Sequence, residues 1–254
     1  MTAEGIYNVG SATPHELAER VLSGDEKSAA RLISLVEADK EAGYEALSEL
    51  YPHTGKAHII GITGSPGVGK SSLAGKLAVS FAEAGKRVGV VAVDPSSAKR
   101  TGGALLGDRV RMKDAEKLKS VFIRSMANRA HPGGLAKAAA GAVYVLEALG
   151  KDTVLVESVG AGQSEKALTY LADTIVTVFT PDFGDEIQLL KAGLVEIGDI
   201  VVQNKSDSPN AEAAGRLLTA YLEQAGGGEG WRVPMFLCRA DKGLGVAEVA
   251  AAVE

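Results

Sequence analysis

The sequence predicts an α/β fold: a mostly parallel central sheet covered by helices on both faces, with a short helical N-terminal extension. Three observations carry this expectation. Apolar runs along the chain are continuous rather than alternating, the signature of strands buried on both faces. Segments with helical spacing separate these runs, as parallel crossovers require. A glycine-rich turn, "GSPGVGKS" at residues 64–71, stands between the first apolar run and the helix after it.

The elements follow in order. Residues 1–12 read as a frayed start. From Pro14 to about Leu50 the apolar residues Leu17, Val21, Leu22, Leu32, Leu35 and Val36 recur at helical spacing, and "SGDEK" at 23–27 divides the stretch into two short helices. From Ala57 the pattern changes. "AHIIGIT" reads as a buried strand and "KSSLAGKLAVSFAEAG" as a helix ending at Gly85. "RVGVVAVD" and "SVFIRSM" are strands, and "LAKAAAGAVYVLEALG" is a helix. "DTVLVES", "DTIVTVFT" and "DIVVQNK" are further strands, with "DEIQLLKAGLVEIG" helical between the last two. "AEAAGRLLTAYLEQA" is a helix, "GGGEG" a loop, and "VPMFLCRA" the last strand. The organisation expected is a helical extension over 1–55 and an α/β domain over 56–254, with no internal repeat.

Composition narrows the function. The 254 residues are 46% hydrophobic and 23% charged, ordinary for a globular chain with a sizeable core. A net charge of −5 without a basic stripe argues against a nucleic-acid partner. The single cysteine, Cys238, excludes an internal disulfide and a cysteine-rich zinc site, and is expected to be a buried apolar residue. Trp231 is expected to anchor the chain before the last strand. No secretion signal and no apolar run of the ~20 residues a membrane helix needs is present, so a cytoplasmic location is expected.

Three motifs carry chemistry. "GSPGVGKS" is G-x-x-x-x-G-K-[ST] between a strand and a helix, the context in which that pattern cradles phosphates. Gly64, Ser65, Pro66, Gly67, Val68 and Gly69 supply a loop whose backbone N–H groups converge on the anion. Lys70 is expected on the β- and γ-phosphates and Ser71 on Mg²⁺, with Ser72 beside them. "VVQNKSD" ends a strand with Asn204, Lys205 and Asp207, an N-K-x-D pattern. Guanine presents two adjacent donors, N1–H and N2–H₂, and one carboxylate can accept both. Adenine does not, and a site built on such bonds discriminates strongly. The pattern by itself is common by chance. Its place at the end of a later strand, where such sheets bind ligands, makes GTP the expected nucleotide.

The third motif is "LVESVGAGQSE", where Glu157 ends an apolar run and Gly160 follows three residues later. This is the D-x-x-G layout with one extra methylene, a sensor of metal and γ-phosphate. Asp94, Asp108 and Glu157 compete for the metal, because a carboxylate at a buried strand end is costly without a cation or donors. Plain strand-end or loop carboxylates are the alternative. Gln163 is a candidate to orient the attacking water, and Arg109 or Arg111 to approach the phosphates.

Taken together, "GITGSPGVGKSSL", "VAVDPSSAKRTGGALLGDRVRM", "FIRSMANRAHPGGLA", "VLVESVGAGQSE" and "FGDEIQLLKAGLVEIGDIVVQNKSD" resemble the MeaB/ArgK-type G-protein chaperones. These are SIMIBI-class P-loop GTPases whose human relative is the methylmalonic aciduria type A protein. "SGDEKSAARLISLVE" resembles their helical lead-in, and the resemblance runs from about residue 16 to the end. It implies slow GTP hydrolysis and association with an adenosylcobalamin-dependent acyl-CoA mutase, whose cofactor loading such proteins gate and whose activity they protect. It implies phosphate and Mg²⁺ roles for Lys70 and Ser71, a metal neighbourhood of Asp94, Asp108 and Glu157, and guanine contacts by Asn204, Lys205 and Asp207. It also implies a mutase-touching switch over 182–191. Departures stand beside it. The helices that build a homodimer in the family lie beyond Glu254, so dimerisation is left open. Arg239 and Ala240 replace a Ser-Ala turn, a change expected to alter guanine affinity. Ala130 stands where glycine is usual, and Lys99 and Arg100 add a basic pair. Rival readings are a metallocentre-insertion GTPase, disfavoured by scattered histidines, a transport-linked kinase or ATPase, and a GTP-dependent scaffold with negligible turnover.

Overall fold

The structure, a computed structural model, describes residues 12–94, 112–127, 134–158, 168–181, 195–225 and 231–254. The expected strands are present: β1 (His58–Thr63), β2 (Val88–Asp94), β3 (Val121–Ala127), β4 (Thr153–Glu157), β5 (Thr174–Phe179), β6 (Ile200–Gln203) and β7 (Met235–Leu237). They form a seven-stranded sheet in the order β3-β2-β4-β1-β5-β6-β7, and every pairing is parallel. Strand β1 lies at the centre, between β4 and β5. The chain leaves it toward one edge and later returns to build the other, which opens a crevice at its carboxyl end.

The helices are α1 (Pro14–Leu22), α2 (Glu26–Glu37), α3 (Glu41–Leu50), α4 (Lys70–Glu83), α5 (Lys113–Glu116), α6 (Gly134–Ala148), α7 (Ala211–Ala225) and α8 (Val246–Val253). Two apolar layers cover the sheet. On one face Ile60, Ile62, Val90, Leu155 and Val176 pack against Leu73 and Leu77 of α4 and Val249 of α8. On the other, Ile59, Val91, Val154 and Val156 pack against Val143 and Leu146 of α6, together with Leu32, Val36 and Leu50 of the N-terminal helices. A smaller cluster under α7 holds Phe179, Val195 and Val201. Adjacent residues of the central strands alternate between the two main layers, so both faces are buried there and these strands read as unbroken apolar runs.

The N-terminal segment differs from expectation: three helices occupy it, not two. Gly24 (φ +89°) ends α1 and Asp25 caps α2 at the "SGDEK" break. A second break lies at Asp39, whose left-handed φ of +53° stops α2 and whose carboxylate accepts a hydrogen bond from Tyr44 Oη at 2.7 Å. Asp tolerates that conformation, but without Gly or Pro the break leaves little trace in sequence. The extension is pinned by polar contacts as well as packing. Arg124 pairs with the buried Glu37 at 2.9 Å, and the buried Lys151 pairs with Glu26 at 3.1 Å. The final strand is shorter than "VPMFLCRA", and helix α8 after it was not foreseen. Among the described residues no helix is long and apolar enough to cross a membrane.

Candidate nucleotide site

The segments that follow β1, β6 and β7 converge on a cleft of about 670 Å³. Gly67, Gly69, Lys70, Ser71 and Ser72 line one part of it, and Asn204, Lys205, Asp207, Ser208 and Asp241 another. The first group spans the turn between β1 and α4 and the first residues of α4. Gly64 (φ +144°) packs so tightly on the Val178 carbonyl of β5 that a Cβ there would overlap it. Gly69 (φ +97°) is the N-cap of α4, and a Cβ on it would strike the Asn204 amide. Only glycine satisfies both the backbone conformation and the close approach. Gly69 places no side-chain cap on the N-terminus of α4, the end of a helix that favours an anion. Val68 is buried beneath the turn, whereas Pro66 and Gly67 are exposed at its crest and Ser65 is half-buried.

Lys70 is buried and its ammonium is folded over the loop, donating to the carbonyls of Gly64 at 2.8 Å and Ser65 at 3.1 Å. Ser71, one residue on, donates its hydroxyl to Glu157 Oε1 at 2.7 Å. Both partners are buried. Glu157 reaches this position because β4 pairs directly with β1, with Ile62 opposite Glu157 in register. The next residue, Ser158, is tied to the same strand by its N–H to the Ile62 carbonyl at 2.9 Å and by its hydroxyl to Thr63 Oγ1 at 2.9 Å. Asp94 closes β2, one strand further out.

On the other side, Asn204 works as a brace. Its Nδ2 donates to the Val68 carbonyl at 2.8 Å, and its Oδ1 accepts from the Ala240 N–H at 3.0 Å. It therefore ties the phosphate turn to the turn after β7. Lys205 adopts φ +55°, which lifts the chain out of the sheet and leaves its side chain exposed. Asp207 is half-exposed and pairs with Arg239 at 3.4 Å. Cys238 is fully buried behind this turn, and burial pushes its thiol up to about 12. Trp231 is mostly exposed, yet its indole N–H donates to the Asp199 carbonyl at 2.9 Å, anchoring the chain through hydrogen bonding rather than burial.

The fold thus gathers Lys70, Ser71, Glu157, Asn204, Lys205, Asp207 and Ala240 from distant parts of the chain. Asp108, Arg109, Arg111, Gly160, Gln163, Lys99, Arg100, Ala130, His131 and the 182–191 segment lie outside the described residues. Sequence reasoning missed Asp241. It lines the cleft from a turn after the last strand, and nothing in "RADKG" distinguishes it from a solvated loop charge.

Comparison with known proteins identifies the family. The profile of the family described as "Methylmalonyl Co-A mutase-associated GTPase MeaB" matches residues 29–254. A Pyrococcus abyssi protein with a provisional GTPase name is 47% identical over 237 residues, covering 92% of this chain and 73% of its own. The Caenorhabditis briggsae protein named "Methylmalonic aciduria type A homolog, mitochondrial" is 36% identical over 210 residues, or 77% of this chain and 51% of its own. Among solved structures, one named for the LAO/AO transport system kinase superposes with a TM-score of 0.74 at 25% identity, covering 97% of this chain and 76% of that one. The chain belongs to the methylmalonyl Co-A mutase-associated GTPase family: it is a P-loop GTPase that binds guanine nucleotide and hydrolyses GTP.

Proposed function

We propose that this GTPase is a nucleotide-driven chaperone of an adenosylcobalamin-dependent acyl-CoA mutase of the methylmalonyl-CoA type, gating cofactor loading and protecting the mutase. The family description and the name of the nematode relative support the partner class. The Ser71–Glu157 hydrogen bond carries the switch part of this reading. It joins the phosphate turn to the end of β4, so a change at the γ-phosphate reaches the chain after Glu157 through one contact.

In this reading the α4 N-terminus and the loop over Gly64, Ser65, Pro66, Gly67, Val68 and Gly69 hold the phosphates. Lys70 exchanges its loop carbonyls for β- and γ-phosphate oxygens. A hydroxyl and a carboxylate 2.7 Å apart form a hard-oxygen donor set suited to Mg²⁺. Ser71 and Glu157 are therefore assigned to the metal, and the family resemblance adds Asp94 and Asp108 to them. When bound, Mg²⁺ neutralises charge on the β- and γ-phosphate oxygens. Gly160 is assigned beside the γ-phosphate, and Gln163 orients a water that attacks the γ-phosphorus. The bond to the β–γ bridging oxygen breaks, and GDP and phosphate leave. Asp207 accepts from guanine N1–H and N2–H₂, Lys205 covers the base, and Asn204, Arg239 and Ala240 complete its pocket.

The test is phosphate release from GTP and from ATP, with and without a purified mutase of this class. GTP-selective turnover that rises with the mutase is expected. Turnover indifferent to the mutase would remove the chaperone role and leave the GTPase. A second reading, transfer of phosphate to a protein, follows the name of the solved LAO/AO transport system kinase structure. It predicts stable labelling of protein by γ-labelled nucleotide.

A further inference from the structure

At the base end of the cleft, two carboxylates share one cation. Arg239 Nη2 lies 3.4 Å from Asp207 Oδ2, and Arg239 Nε lies 3.3 Å from Asp241 Oδ1. Asp207 and Asp241 both line the cleft. The guanidinium stands between them with 34% of its side chain exposed. Its backbone is held on two sides. Arg239 and Leu244 exchange N–H to carbonyl bonds at 2.9 and 3.2 Å, and the adjacent Ala240 N–H is bound to Asn204 Oδ1. The fork of an arginine suits this task, because its donors diverge in one rigid plane.

We propose that Arg239 is a positioning and specificity-determining residue for base recognition. It orients the Asp207 carboxylate toward the base and offsets the second negative charge, Asp241, beside an anionic ligand. A carboxylate has about four lone-pair positions. The Arg239 contact is an ion pair at 3.4 Å on Oδ2, which leaves acceptor positions on both oxygens for a base edge with two adjacent N–H donors. The inference rests on reading Asp207 as the guanine acceptor.

The experiment measures dissociation constants for GTP, GDP and ITP, whose hypoxanthine lacks the N2 amino group, alongside steady-state GTP hydrolysis. R239Q is expected to weaken GTP and GDP alike by about fivefold, the scale of a part-exposed ion pair. It is expected to narrow the GTP-over-ITP preference and to raise KM with little change in kcat. R239K, which keeps the charge but not the fork, recovers part of the GTP affinity. In a D241N background R239Q costs less, because the second anion is gone. Wild-type GTP and ITP affinities in R239Q would overturn the proposal, as would equal losses for both nucleotides. D207N is the separate control: an unchanged GTP-over-ITP ratio there removes the base-reading assignment itself, whatever Arg239 does.

Discussion

Two carboxylates at this site have different surroundings, and the difference predicts how each variant fails. Asp207 is half-exposed and lines the cleft beside Arg239. Asp207→Asn keeps the shape but presents an amide donor to guanine donors. GTP affinity measured by calorimetry is expected to fall by at least ~10²-fold, since a site built on specific hydrogen bonds rejects a mismatch strongly. Unchanged affinity would remove Asp207 from base recognition. Glu157 is buried against Ser71. Glu157→Ala is expected to lower Mg²⁺-dependent turnover by ~10²-fold, the scale of losing one preorganised electrostatic group. GDP binding is expected to change far less, and equal losses in both would make Glu157 a structural carboxylate. Cys238 gives a third test. Burial raises its thiol to about 12, so almost no thiolate exists at neutral pH. A thiol reagent should label the native protein negligibly and the unfolded protein fully. Fast native labelling would contradict a closed turn behind Asn204.

Among the elements, the N-terminal helices show where sequence reading works and where it stops. The start of α1 is legible: Thr13 and Glu16 form a capping box with Pro14 in the first turn. The break at Asp39 is not, because its left-handed φ is held by the Tyr44 hydroxyl from the next helix. The tight crossing of α2 and α3 is equally silent. Gly43 lies so close to Leu35 and Val36 that a Cβ would press on their backbone. His15 links α1 to α3 by a 2.7 Å contact with Glu49, and that hydrogen bond, helped by the Glu49 charge, raises its pKa above 6.5. Its stabilising contribution is therefore fully present below about pH 6.5 and is lost as pH rises through the raised folded value. The difference in Tm between wild type and His15→Ala should shrink as the pH is raised from 5.5 to 8, both ~1 unit or more from the usual histidine value. A constant difference would assign the contact to packing rather than charge.

For the whole molecule, the decisive feature is the shared apolar layer. Leu32 and Val36 of α2 belong to one cluster with Val143 of α6 and Val154 of β4. The helical extension therefore completes the covering of the sheet. Leu32 is fully buried, and Leu32→Ala is expected to cost about 2–5 kcal/mol. Denaturant unfolding followed by circular dichroism should show one transition displaced as a unit. Two separate transitions would make the extension an independent folding unit.

The sequence alone was enough for the α/β class, the strands and the three motifs. Each of these is written locally, in unbroken apolar runs, in glycines at a turn, or in a carboxylate at a strand end. The spatial relations were not local. Strand order placed β4 against β1, and only that neighbourhood brings Glu157 within hydrogen-bond reach of Ser71. The turn after β7 came to the base end of the cleft because β7 pairs with β6, which put Asp241 and Arg239 beside Asp207. Helix α8 likewise depended on partners far along the chain, and the Asp39 break on a hydroxyl from the next helix. Local pattern records what a segment can form, whereas contacts across the sheet depend on how all the segments stack, and that is a property of the packed core.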